Sequence, residues 1–114
     1  MKNIFLVIGL LLSAFTYSQT TGILTTTLAV KGNCEQCKER IENAADIKGV
    51  KNAKWDAKTQ ILTVTFNSEK TSAEKIQQAI AKSGHDSGSE KAPDQAYQKL
   101  PDCCKYRDHG HDGK

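Results

Sequence analysis

The hydrophobic period of this chain changes abruptly near residue 32, and that change constrains the fold more than any other feature. Leu24, Thr26, Leu28 and Val30 share one face of an alternating segment, with Thr25, Thr27, Ala29 and Lys31 on the other. A period of two marks a half-buried strand. Gly32-Asn33 breaks the pattern, and from Glu35 to Ala45 the apolar positions become Cys37, Ile41 and Ala44/Ala45, the spacing of one helix face. Val50 to Asp56 and Gln60 to Phe66 then read as two strands joined through Ala57-Lys58-Thr59, a hairpin with Leu62, Val64 and Phe66 turned inward.

A second helix follows. Thr71 and Glu74 have the spacing of a capping box, Ala73, Ile76, Ala79 and Ile80 form the stripe behind it, and Ser83-Gly84 closes it. His85 to Lys91 contains two Ser, a Gly and no apolar residue, so a last edge strand there is short or absent. Pro93 opens a short helical segment through Ala96, Tyr97 and Leu100 that Pro101 stops, and Tyr106 to Lys114 reads as a polar, frayed end. The order strand, helix, strand, strand, helix, weak strand predicts an α+β sandwich with helices on one face of an antiparallel sheet. At 114 residues, with 38% hydrophobic and 25% charged, the chain holds one small domain. We place that domain at residues 19–90 and an extension at 91–114, with Trp55 half-buried on the second strand.

Residues 1–18 are set aside, because Lys2, the apolar run Ile4 to Leu12 and the small and polar residues after it have the layout of a secretory signal. The run is shorter than the roughly 20 residues of a spanning helix. The expectation is export to a periplasmic or extracellular location, with no stable membrane insertion after cleavage. A net charge of +3 without a Lys/Arg run leaves no footprint for nucleic acid.

Four cysteines in an exported chain ordinarily suggest disulfides. Cys103 and Cys104 are adjacent, so their Cα atoms stand about 3.8 Å apart, below the usual range of roughly 4.4 to 6.8 Å for a bridge. Cys34 and Cys37 could close, or either could cross-link to the C-terminal pair. The alternative is metal. A loop leading into a helix sets both sulfurs beside unpaired backbone N–H groups and the positive end of the dipole, which favours thiolate. Soft sulfur selects Cu(I) over hard cations, whereas Zn(II) wants four ligands, which the first pair alone cannot supply. Cys103-Cys104 could fold back on the first pair and raise the count to three or four sulfurs, or hold a second metal. His109 and His111 read as tail residues.

The strand, Gly32-Asn33-Cys34-Glu35-Gln36-Cys37 and the helix beginning Lys38-Glu39-Arg40-Ile41-Glu42 resemble the heavy-metal-associated domain of copper chaperones, copper-ATPase N-terminal domains and the periplasmic mercury-binding protein. The resemblance covers about residues 24 to 86. It implies a ferredoxin-like βαββαβ fold and one Cu(I), or Hg(II), on Cys34 and Cys37. It also implies a metal-exchanging partner, such as a copper transporter or another thiol-containing metal protein. Two departures stand out. The family loop often carries a methionine packed beneath the site, where this chain has Lys31-Gly32-Asn33 before Cys34. Gly84-His85-Asp86 lies where many members have Gly-Tyr, and because some members use a histidine there, His85 is a candidate third ligand or supporting group.

Two functions follow: a non-enzymatic exported protein that sequesters or transfers Cu(I), or a thiol-disulfide oxidoreductase with Cys34 as nucleophile. The second normally needs a thioredoxin-like fold with a longer parallel sheet. This chain has no room for one.

Overall fold

The computed structural model describes residues 22–109. The expected signal segment 1–18 and His111 lie outside those residues. Three strands, β1 (Ile23–Ala29), β2 (Val50–Asp56) and β3 (Ile61–Asn67), form an antiparallel sheet in the order β1-β3-β2. Leu28 pairs with Leu62 across the first ladder and Trp55 with Leu62 across the second. The inward alternation of Leu62, Val64 and Phe66 on β3 therefore lies at the centre of the sheet, and all three are buried. Helices α1 (Glu35–Ala45) and α2 (Ala73–Lys82) cover that face, burying Ile41, Ile76 and Ile80 against it. This is the ferredoxin-like arrangement, with helices on one side of an open sheet. No described helix is long and apolar enough to cross a membrane.

The last strand is reduced to a contact. Lys31 N donates to Asp86 O at 2.9 Å, Gly88 N donates to Ala29 O at 2.9 Å, and Val30 bridges Ser87. Residues 86–88 therefore run beside β1 for one repeat. A second bridge, Ser87 to Glu90, with Gly88 at φ +58°, then turns the chain away. With Ser-Gly-Ser in place of an apolar run, nothing anchors a longer strand.

Three local expectations need correction. The N-cap of α2 is Ser72 and not Thr71: the Ser72 hydroxyl accepts from Lys75 N at 3.2 Å, while Thr71 is buried. Gln60 is the left-handed residue that closes the hairpin, at φ +61°, so β3 begins at Ile61. Trp55 is not half-buried but 2% exposed, and its indole Nε1 donates to Val30 O at 2.9 Å.

The extension is ordered against the domain. Helix α3 (Asp94–Gln98), a 3-10 turn (Asp102–Cys104) and helix α4 (Tyr106–His109) follow one another. Tyr97, Leu100, Cys104 and Tyr106 all join the core. The polar, frayed reading of the segment from Tyr106 fails for its first residues. The Tyr106 hydroxyl donates to Gly84 O at 2.8 Å and accepts from Asp86 N at 2.9 Å, and its ring stacks on His85 at 5.6 Å. Gly84 makes this packing possible, because a Cβ at that position would stand 2.8 Å from Leu100 Cδ2.

Candidate metal centre

The site is built from both ends of the described chain. Cys34 is the N-cap of α1 in extended conformation (φ −142°) and Cys37 lies one turn in. The cap is made by sulfur: Cys37 Sγ accepts from Asn33 N at 3.3 Å and from Cys34 N at 3.4 Å. The two donors are the amides of the N-cap and of the residue before it, at the positive end of the helix, so an anionic sulfur is well placed there. The Cys34 and Cys37 sulfurs are 3.6 Å apart.

Beneath this loop lies Trp55. A Cβ on Gly32 would meet Trp55 Cη2 at 2.9 Å and Cys37 Cβ at 3.1 Å. The indole thus fills the space under the loop, so the missing methionine leaves no hole. Two further groups hold the loop from the side. Gln60 Nε2 donates to Gly32 O, and Gln60 O accepts from Val30 N at 3.0 Å. Glu42 accepts from Lys38 Nζ at 2.6 Å and from Trp55 N at 2.8 Å, which ties α1 to the outer edge of β2. The Lys38–Glu42 spacing is readable as a helix pair; its reach to the edge of β2 is not, because that depends on the packing of α1 on the sheet.

The 3-10 turn after Pro101 brings the second pair of cysteines to the first. Cys104 Sγ lies 2.7 Å from Cys37 Sγ, Cys103 Sγ lies 3.3 Å from Cys34 Sγ, and the two turn sulfurs are 4.0 Å apart. All four are free thiols. The ligand atoms of Cys34, Cys37 and Cys104 fall within 4.8 Å of one another. Cys37 and Cys104 are each 0% exposed, whereas Cys103 is exposed and donates to Gln36 Oε1 at 2.7 Å.

Burial raises the Cys34 thiol, but its hydrogen bonding with Cys103 and with the Cys37 and Gln36 backbone outweighs burial and holds Cys34 below its ordinary pKa. Cys103 moves the other way, through its hydrogen bond with Cys34 and then burial. Burial, followed by the contact with Cys37, pushes the Cys104 thiol far up. Without metal, therefore, Cys34 is shifted toward thiolate and the two turn cysteines toward the protonated thiol.

His85 is not part of the three-sulfur group. It is fully buried, and burial lowers its pKa, so the ring is neutral. Nδ1 stands 2.8 Å from Lys31 O, and Nε2 has no hydrogen-bond partner. His85 thereby braces the end of the segment that leads into the loop.

The heavy-metal-associated domain family model matches residues 27–86. No curated protein matches the chain. Several solved structures do. The apo copper chaperone of Enterococcus hirae is 36% identical, with a TM-score of 0.51 over 54% of this chain and 94% of that one. Oxidized MerP from Ralstonia metallidurans CH34 is 32% identical, with a TM-score of 0.55 over 58% of this chain and 94% of that one. The apo N-terminal domain of the zinc(II) ATPase ZiaA is 34% identical, with a TM-score of 0.51 over 58% of this chain and 64% of that one.

Proposed function

This chain belongs to the heavy-metal-associated domain family, and from that premise we propose that it is an exported, non-enzymatic carrier that binds Cu(I) through Cys34 and Cys37 and passes it to another thiol site. The observation that carries the proposal is the pair of sulfurs 3.6 Å apart at the head of α1, with Cys34 held below its ordinary pKa. Thiolate is the metal-binding form, and soft thiolates prefer Cu(I) to harder cations. Hg(II) has the same preference for sulfur. Zn(II) would require two further donors.

Transfer to a copper transporter or a similar thiol protein is ligand exchange, in which the incoming sulfur joins the metal before a resident one leaves. Cys34 is only partly covered, so an incoming sulfur can reach the metal at its side. Export is supported by Lys2 and the apolar run Ile4 to Leu12.

Competition against a Cu(I) chelator of known affinity tests the proposal. One Cu(I) per chain is expected, bound far more tightly than Zn(II), and Cys34→Ser/Cys37→Ser should abolish the binding. Unchanged binding by the double variant would refute the assignment. The lowered Cys34 thiol would equally suit a redox nucleophile, and insulin reduction that depends on Cys34 would favour the oxidoreductase reading instead.

A further inference from the structure

The family match ends at residue 86, yet the chain continues into a segment that returns to the Cys34–Cys37 loop. We infer that Cys104 is a third metal ligand, so that the domain and its extension together form an enclosed three-thiolate site with Cys103 at its solvent edge. This rests on the reading of Cys34 and Cys37 as the primary pair.

Sulfur spacing is the first support. In a trigonal site with metal–sulfur bonds of about 2.3 Å, the sulfurs stand about 4 Å apart. The Cys34 and Cys37 sulfurs, 3.6 Å apart, stand close to that value, Cys37 and Cys104, at 2.7 Å, must move apart to reach it, and all three lie within 4.8 Å of one another.

Placement of the extension is the second support, and it does not depend on the sulfurs. Tyr106 bridges Gly84 and Asp86 through its hydroxyl. Arg107 reaches Asp86 Oδ1 and Ala92 O, each at 2.9 Å, and lies 4.5 Å from the centre of the Tyr97 ring. Leu100 packs on Gly84 on the other side of the turn. Cys104 is thus held from both flanks, by contacts that contain no sulfur.

Alternation within the turn is the third. Cys104 N donates to Pro101 O at 2.8 Å, which closes the 3-10 turn and sends adjacent side chains in different directions. Cys104 goes inward to 0% exposure and Cys103 stays outside.

The chemistry balances without any oxidant. Each thiol that joins Cu(I) releases its proton to solvent, a sulfur–metal bond forms, and the copper stays monovalent. Release is the reverse: an incoming thiolate adds at the exposed side and Cys104 recovers a proton as it departs. Relative to a two-sulfur site, the enclosed one holds metal more tightly and gives it up more slowly. That combination suits storage or guarded delivery.

The test is X-ray absorption spectroscopy of the full mature chain loaded with one equivalent of Cu(I), together with chelator competition. Wild type should show three sulfur neighbours. Cys104→Ser should show two, still bind one Cu(I), and lose at least tenfold in affinity. Cys103→Ser should keep three. Two sulfur neighbours in wild type would overturn the inference whether or not the Cys104 variant folds, and if that binding still required Cys34 and Cys37 the proposed function would stand. Loss of a neighbour in Cys103→Ser instead of Cys104→Ser would overturn the ligand assignment. Failure of wild type to bind Cu(I) would overturn both readings.

Discussion

Gly32 and Trp55 show how much of the site depends on one pair of residues. The glycine is required here for proximity, since its φ is unexceptional and the indole lies where a side chain would begin. Gly32→Ala should destabilise the apo protein by about 1 to 3 kcal/mol, the usual range for forcing an extra carbon into a packed region. Urea unfolding measures this directly. In Gly32→Ala/Trp55→Phe the smaller ring makes room but leaves Val30 O without its indole donor. The double variant should therefore lose less than the sum of the two single losses, as coupled neighbours do. The sequence exposes Cys34 and Cys37 because their spacing and the switch of hydrophobic period are local. It does not expose Trp55 beneath them, because the indole reaches the loop only after β2 has paired with β3.

Among the elements, the strands and the two long helices are legible because each repeats its apolar residues at a fixed period. The extension is not. Tyr106 stands among Lys105, Arg107 and Asp108 and carries no period; its burial to 7% exposure depends on Gly84, His85 and Asp86, about 20 positions away. Tyr106→Phe should cost about 1 to 3 kcal/mol by leaving the buried Gly84 carbonyl and the Asp86 amide without their partner, and thermal unfolding should register the loss. Asp86 provides the pH-dependent part of the same docking. Burial raises its carboxyl, but Ala92 N–H and Arg107 outweigh burial and hold the pKa below the ordinary value. A carboxyl depressed on folding adds stability that is present above the unfolded pKa, about 4, and is lost as pH falls through the lower folded value. Asp86→Asn should therefore be less stable than wild type at pH 7, and the difference should shrink as the pH is lowered below about 4. Denaturant midpoints measured across that range give the comparison.

At the scale of the molecule, the two halves of the site lie 67 residues apart in sequence, and no local pattern announces that they meet. The tail cysteines stand out by composition, but their placement follows from the short contact of residues 86–88 with β1, the turn at Gly88, and the return of the 3-10 turn to the head of α1. Joining the halves through metal has a consequence for dynamics. A ligand that binds only the closed form stabilises it by RT ln(1 + [L]/Kd), about 4 kcal/mol when free ligand is a thousandfold above Kd. If Cys104 holds the metal, that stabilisation must extend to the extension, since the extension cannot leave without breaking a metal–sulfur bond. If only Cys34 and Cys37 hold it, the gain stays in the loop and α1, and the extension opens as it does in the apo protein. Hydrogen exchange with and without Cu(I) separates the two. Wild type should gain protection both at residues 33–42 and at 96–107, whereas Cys104→Ser should gain it only at 33–42. Equal protection of the extension in wild type and Cys104→Ser would mean that metal and extension are coupled through packing around the loop and not through the third sulfur.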